Sequence, residues 1–470
     1  MMLFFVICSW ALPGFAFAGH ALINHRSLPT AFSWALSCIA LPIVGPLLYL
    51  IFGARVIART GLILKTLTMP LHGAATETPT ETLSTFMKTS GYEHLGRLGE
   101  QISPFPLCAG NKIIPLSNGS EAYPEMLSAI DSASRTIALS TYHFASDEIG
   151  ARFERALCSA ASRGVSVRVL VDFCGAWLQW SSIVLRLRRL GVAAQHFNPP
   201  TGMDAFRSLN FRYHRKLLLV DGLLGFTGGM NIRDSYLAEK KLYRLNQDVH
   251  FRIEGPIVHQ MHRTFAADWF FASGEALPAA EWFPHLRPVG TSYARGVISG
   301  PDATLQSNYK MILGALSVAR ETVLVMTPFF LPDETLLHTL CLTSLRGVDV
   351  RLILSGDNFS IIHRAQLAVM QWLLEAGVRV FVASPPFNHA KLMTIDGHWS
   401  LIGSTNWDPR SLKFNFEFDL EIHDSAVAGW IQEKAKALIE SATEFSIADL
   451  ETGMTAALRN TLVRLLCSYL

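Results

Sequence analysis

One pattern in this chain limits its fold more than any other: the sequence runs through the same order of elements twice. Arg135-Thr-Ile-Ala-Leu-Ser-Thr-Tyr142 leads to Asp147-Glu148, an Ala-rich helical run and Arg163-Gly-Val-Ser-Val-Arg-Val-Leu170. Later, Arg320-Glu-Thr-Val-Leu-Val-Met-Thr327 leads to Asp333-Glu334, a Leu-rich run and Arg346-Gly-Val-Asp-Val-Arg-Leu-Ile353. Gly191-Val192 and Gly377-Val378 then mark a further strand start in each copy. Short β-branched runs alternating with amphipathic stretches predict an α/β sandwich in each half, and self-similarity at this scale makes the halves structural equivalents. The expected organisation is one half over 111–280 and a second over 301–470 that includes a helical tail, joined by a Pro- and Gly-rich link at 281–300.

Each half carries the same chemical motif after those strands. The first is His214-Arg-Lys216-Leu-Leu-Leu-Val-Asp221 followed by Gly228-Gly229-Met-Asn231; the second is His389-Ala-Lys391-Leu-Met-Thr-Ile-Asp396 followed by Gly403-Ser404-Thr-Asn406. A single match to this spacing is weak, but two copies with matched tails in a duplicated body are specific. On an extended strand residues i and i+2 share a face, so each His points the same way as its Lys. Packed about a pseudo-two-fold axis, both pairs converge on one pocket. Two ammonium groups, the amides of Asn231 and Asn406, and backbone N–H groups at Gly229 and Ser404 would surround a tetrahedral anion. One imidazole can then attack phosphorus in line while the other protonates the departing alkoxide. The lysines offset charge on the non-bridging oxygens, so this chemistry calls for no metal and no other cofactor.

At these residues the chain resembles the phospholipase D superfamily and, within it, the bacterial cardiolipin synthases. The likeness extends to Arg212 ahead of His214, Gly255-Pro256, Ser299-Gly300-Pro301, and Asn406-Trp-Asp408-Pro-Arg410-Ser411 with Asn415 and Glu417. The resemblance implies a phosphatidyltransferase joining two phosphatidylglycerol molecules into cardiolipin, with release of glycerol and a phosphohistidine intermediate. It implies His214 as nucleophile and His389 as acid and base, with Lys216 and Lys391 beside them. It also implies that Asp248 and Glu417 accept hydrogen bonds from the far imidazole nitrogens, Glu417 lying 28 residues after His389 and Asp248 lying 34 after His214. Asp221 and Asp396, grouped with the catalytic motif, are expected to hold local loops. Tyr213 and Phe329 stand where the family often has Asn and Tyr.

Ahead of the halves lies a leader of different composition. The chain is 50% hydrophobic and 17% charged, with mean hydropathy +0.27, which excludes a disordered or low-complexity protein. Its net charge of +2 is carried by the residues before Glu77, where Arg26, Arg55, Arg59 and Lys65 are the only charged side chains. Residues 1–25 and 27–54 lack Asp, Glu, Lys and Arg, and each is long enough to span a bilayer. A transmembrane helical hairpin over 1–60 is expected, with a cleaved signal peptide ending near Ala16-Phe17-Ala18 as the other reading. Either way Arg55, Arg59 and Lys65 put the two halves on the cytoplasmic side of a bacterial inner membrane. Residues 61–110 are read as a linker. Seven scattered cysteines without a CxxC pair are expected to be reduced thiols.

The body left after the leader has 36 basic and 38 acidic residues, too balanced to draw nucleic acid by net charge. A phospholipase D using water as acceptor is the competing enzyme; a catalytically dead scaffold is disfavoured by complete motifs in both halves. The pair His259 and His262 is expected on a helix surface rather than at a metal.

Overall fold

The computed structural model describes residues 2–24, 28–53, 91–177, 182–199, 211–237, 245–302, 304–356, 360–450, 453 and 458–460. The first half contributes β1 (Cys108–Ser117), β2 (Thr136–Thr141), β3 (Ser166–Asp172), β4 (Ala193–Phe197), β5 (Leu217–Val220), β6 (Leu224–Gly228), β7 (Asn246–Gln247) and β8 (Val249–Glu254). The second contributes β9 (Ser292–Ser299), β10 (Thr322–Thr327), β11 (Asp349–Ser355), β12 (Arg379–Ala383), β13 (Phe387–Asn388), β14 (Leu392–Ile395), β15 (Trp399–Gly403), β16 (Glu417–His423) and β17 (Thr443–Phe445).

Instead of two separate sandwiches, the halves share one 15-stranded sheet of order β17-β12-β11-β10-β14-β15-β16-β9-β1-β8-β6-β5-β2-β3-β4. Read outward from the central β9–β1 pair, the order is the same on both sides except for the added edge strand β17, so the pseudo-two-fold axis passes between these two strands. They pair antiparallel, Cys108 opposite Ala294 and Asn111 opposite Ser292, with a bulge between. Each half has a parallel trio, β2-β3-β4 and β10-β11-β12, flanked by antiparallel strands.

The repeated sequence signals act alike in both copies. Asp147 and Asp333 cap their helices, accepting from the N–H groups of Gly150 and Leu336. Arg163 and Arg346 close the same helices and donate to the carbonyls of Ile130 and Leu316, at the ends of the preceding helices. Those helices cover one sheet face, each half with its own core: Phe153, Leu157 and Val169 in the first, Leu337, Leu340 and Leu352 in the second. The opposite face carries a core common to both halves, under the helices Ile257–Ser273 and Ser425–Ser441, and includes Met261, Phe265, Phe251, Phe418 and Ile431.

Strand β9 lies inside the stretch 281–300 whose Pro and Gly content reads as a link, and within 61–110 a helix, Glu93–Ile102, precedes the first residues of β1. Its Leu95 is buried in the second-half core. Hydrophobic pattern outranks Pro and Gly content in both places.

The leader differs from the expected hairpin. The first stretch forms the helix Met2–Asn24, but the second is divided into Leu28–Ala40 and Val44–Phe52. Pro42 falls at the break, where its ring and missing N–H interrupt the ladder. Among the described residues no helix is long and apolar enough to cross a membrane. The three helices pack through small residues, Ala18, Ala21, Ala35 and Cys38, around Tyr49, whose hydroxyl lies 2.9 Å from His20 Nδ1. Arg55, Arg59 and Lys65 fall outside the described residues, as does most of the chain beyond Leu450. Cys38, Cys108, Cys158, Cys174 and Cys341 are free thiols.

Candidate active site

The two His-Lys pairs occupy extended segments just ahead of β5 and β14 rather than the ladder strands themselves. Side chains alternate along the first segment. His214 and Lys216 turn toward the site, while Arg215 between them turns into the core and pairs with Asp268 at 2.5 Å, both side chains fully buried. In the second segment the intervening residue is the buried Ala390.

Each segment is bonded to the other half. His214 N–H donates to the carbonyl of Phe416 at 2.9 Å, and His389 N–H to that of Gln247 at 2.6 Å. Phe416 and Gln247 immediately precede Glu417 and Asp248, so these two bonds bring each carboxylate to the imidazole of the opposite half. His214 Nδ1 lies 3.0 and 2.9 Å from the two Glu417 oxygens. His389 Nδ1 lies 2.7 Å from Asp248 Oδ2. Counting within a half pairs the wrong partners: the dyads are His214–Glu417 and His389–Asp248. An ionised carboxylate only accepts, so Nδ1 carries the proton in each ring and Nε2 keeps the lone pair.

The carboxylates differ in support. Glu417 also accepts from Ser404 Oγ at 2.5 Å and Asn415 Nδ2 at 3.1 Å. Burial would raise its pKa, but His214, Lys216 and these bonds bring it below the usual value. At Asp248 burial prevails over Lys391 and the Val249 N–H and lifts the carboxyl to about 6. Burial lowers both imidazoles. Glu417 partly offsets this at His214, whereas at His389 the ammonium groups of Lys391 and Lys216 add to it. Burial likewise brings Lys216 to about 7 and Lys391 to about 8. Both Nζ atoms are tethered to the carbonyl of their own histidine, at 2.6 and 2.5 Å, and Lys391 Nζ lies 3.1 Å from His389 Nε2.

Gly229 and Ser404 take a different place from the expected anion cradle. Gly229 N–H donates to the carbonyl of Val249 and Ser404 N–H to Asp419 Oδ1. A Cβ at Gly229 would stand 2.4 Å from Asp248 Oδ1, so this glycine leaves room for the carboxylate. Asn231 Oδ1 accepts from His143 N–H at 3.2 Å, whereas Asn406 Oδ1 is buried without a partner among the described residues. Asp221 and Asp396 follow the far ends of β5 and β14. They accept backbone N–H groups of 134–136 and 320–322, respectively, which removes them from the reacting groups. The seven-residue spacing from His is the length of the extended lead-in plus the four-residue strand.

A cavity of about 360 Å³ opens beside His214. Tyr142, Arg212, Phe329, Asn406, Arg410 and Asn415 contribute to its wall. Phe329 therefore contacts this space, while Tyr213 is buried with its hydroxyl on Asp268, outside it. Sequence spacing missed Tyr142, whose ring meets His214 edge-on, and Arg215, whose signal was a charge at an inward position between two outward ones. His262 is not on a helix surface. It is buried against Trp282 and Phe283, and burial lowers its pKa to about 3.

Residues 126–269 and 312–439 match the family model described as cardiolipin synthase, PLD-like domain, and residues 15–53 match the phospholipase D-nuclease N-terminal model. A cardiolipin synthase A from Pseudomonas fluorescens is 32% identical over 451 residues, covering 95% of this chain and 93% of that protein. One from Pseudomonas aeruginosa is 32% identical over 93% of this chain and 89% of its own length. Among solved structures, phosphatidylserine synthase from Haemophilus influenzae superposes with a TM-score of 0.62 at 14% identity, over 80% of this chain and all of that one, a likeness of fold. With two motif-bearing halves joined at one seam and relatives matched along nearly its whole length, the chain belongs to the cardiolipin synthase family of phospholipase D-like proteins.

Proposed function

We propose that the chain is a phosphatidyltransferase that makes cardiolipin and glycerol from two phosphatidylglycerol molecules. The observation that carries the reading is the meeting of two imidazoles, His214 buried and His389 partly buried, each with its Nδ1 proton held by a carboxylate of the other half. In-line transfer uses the lone pair of one Nε2, while the other Nε2 must first take up a proton to serve as the acid. One Nε2 attacks phosphorus; the other imidazole protonates the leaving glycerol oxygen and then takes the proton of the incoming hydroxyl. Lys216 and Lys391 offset the charge on the phosphoryl oxygens, with Asn231 and Asn406 at the margins. Gly229, Ser404 and Asn415 act through the carboxylates.

A membrane setting fits the amino-terminal helices, which leave Leu12, Phe15, Ile23, Phe32 and Leu36 exposed. We place them in or against a bacterial inner membrane, with the two halves, 111–280 and 301–470, on the cytoplasmic side by the positions of Arg55, Arg59 and Lys65. The test is incubation of purified protein in mixed micelles with labelled phosphatidylglycerol. Cardiolipin and free glycerol in equal amounts are expected; phosphatidic acid as the main product would make the enzyme a hydrolase.

A further inference from the structure

The catalytic parts repeat across the pseudo-two-fold axis, so a group present on one side alone serves a part of the substrate present on one side alone. Arg212 stands two residues before His214, and the matching place before His389 is Phe387. Arg410 stands four residues after Asn406, and the matching place after Asn231 is Ser235. Asp408 corresponds to Arg233, but it accepts the N–H groups of Arg410 and Ser411 as a helix cap. Both unmatched arginines line the cavity beside His214. Arg212 lies close enough to Arg410 for its charge to reach it: burial lowers the Arg410 pKa, and Arg212 lowers it further. Two guanidinium groups at one cavity are a site for an oxyanion.

The same wall offers a hydroxyl acceptor. Asn415 is 5% exposed, and its Nδ2 donates to Glu417 Oε1 and Ser411 Oγ. The amide orientation is therefore fixed by chemistry, since the nitrogen must face the carboxylate, and the buried Oδ1 has no partner among the described residues.

We propose that this cavity, on the His214 side of the reacting phosphorus, is the site of the acceptor lipid, with Arg212 and Arg410 on its unreacting phosphodiester and Asn415 Oδ1 on its central glycerol hydroxyl. The inference rests on the transferase reading. It places the terminal hydroxyl of the acceptor at His214 Nε2. That hydroxyl gives its proton to Nε2, its oxygen forms the new P–O bond, and the P–N bond to His389 breaks with its electron pair returning to the ring. His389 is then the residue that carries the phosphatidyl group and His214 the acid and base, the reverse of the order implied by the family resemblance. Free glycerol can occupy the same place but has no phosphate for the arginines.

The experiment compares two reactions of the full-length enzyme in micelles: cardiolipin formation from phosphatidylglycerol, and exchange of labelled glycerol into phosphatidylglycerol. Arg212→Gln and Arg410→Gln are expected to lower cardiolipin formation by about tenfold or more, the loss of a charge-assisted contact, while exchange falls by no more than about twofold. Arg→Lys variants should recover part of the loss. Quenching in detergent at alkaline pH, where a phosphoramidate survives, followed by digestion should find the phosphorylated imidazole at His389. Equal loss of both reactions, loss of neither, or an adduct on His214 overturns the proposal. Absence of both reactions in the unmodified enzyme overturns the transferase reading itself.

Discussion

His214 and Glu417 are separated by 203 positions yet form one proton-holding unit, so their substitutions should not add. Glu417→Gln is expected to lower kcat by about 10²-fold or more, and His214→Ala/Glu417→Gln no further than His214→Ala alone. His389 and Asp248 should behave alike, while Glu417→Gln with Asp248→Asn should compound. A cycle in which His214 couples to Asp248 instead would contradict the crossed pairing. The pH profile comes from the groups around the imidazoles. As pH falls through about 6, Asp248 gains a proton and ceases to hold His389 Nδ1–H as an anion. As pH rises, Lys216 at about 7 and then Lys391 at about 8 lose their charge. The free enzyme's kcat/KM should therefore be bell-shaped, with an acid limb near 6 and an alkaline limb between 7 and 8, read from initial rates at low substrate.

At the scale of elements, the extended segment 214–216 serves two surfaces at once: its outward residues meet the site and its inward one anchors the strand to the helix Ile257–Ser273 through Arg215 and Asp268. Arg215→Met takes the counter-charge from the buried Asp268 carboxylate, leaving the Tyr213 hydroxyl on it, and should cost about 3–5 kcal/mol by denaturant unfolding. Arg215→Met with Asp268→Leu should regain most of it; a double variant as unstable as the single would point to lost shape rather than lost charge. Period-two alternation made the outward face legible in the sequence, because His and Lys two apart have one strand geometry in common. The inward face was not, since nothing in a linear pattern says which distant helix supplies the counter-ion. The break at Pro42 is likewise hidden in the charge pattern: an uninterrupted run of uncharged residues states hydrophobicity but not whether the backbone ladder survives within it.

Across the whole molecule, the duplication made two equivalent halves legible and with them both motifs, but their junction was not. Residues 281–300 look like a link, and contain the strand β9 that closes the sheet against β1. The exchange of carboxylates was hidden for a related reason. It depends on the main-chain bonds from His214 to Phe416 and from His389 to Gln247, which carry no side-chain signature. That exchange has a meaning in terms of symmetry. It is the arrangement of an isologous pair of identical half-length chains, in which each copy completes the other's site and every residue is forced to occur at both related places. Joining the two copies into one polypeptide lifts that constraint. Positions 212 and 387, or 410 and 235, can then differ while the dyads stay equivalent. A covalent link thus lets a two-fold reaction centre serve two substrates that are unlike at the moment of transfer.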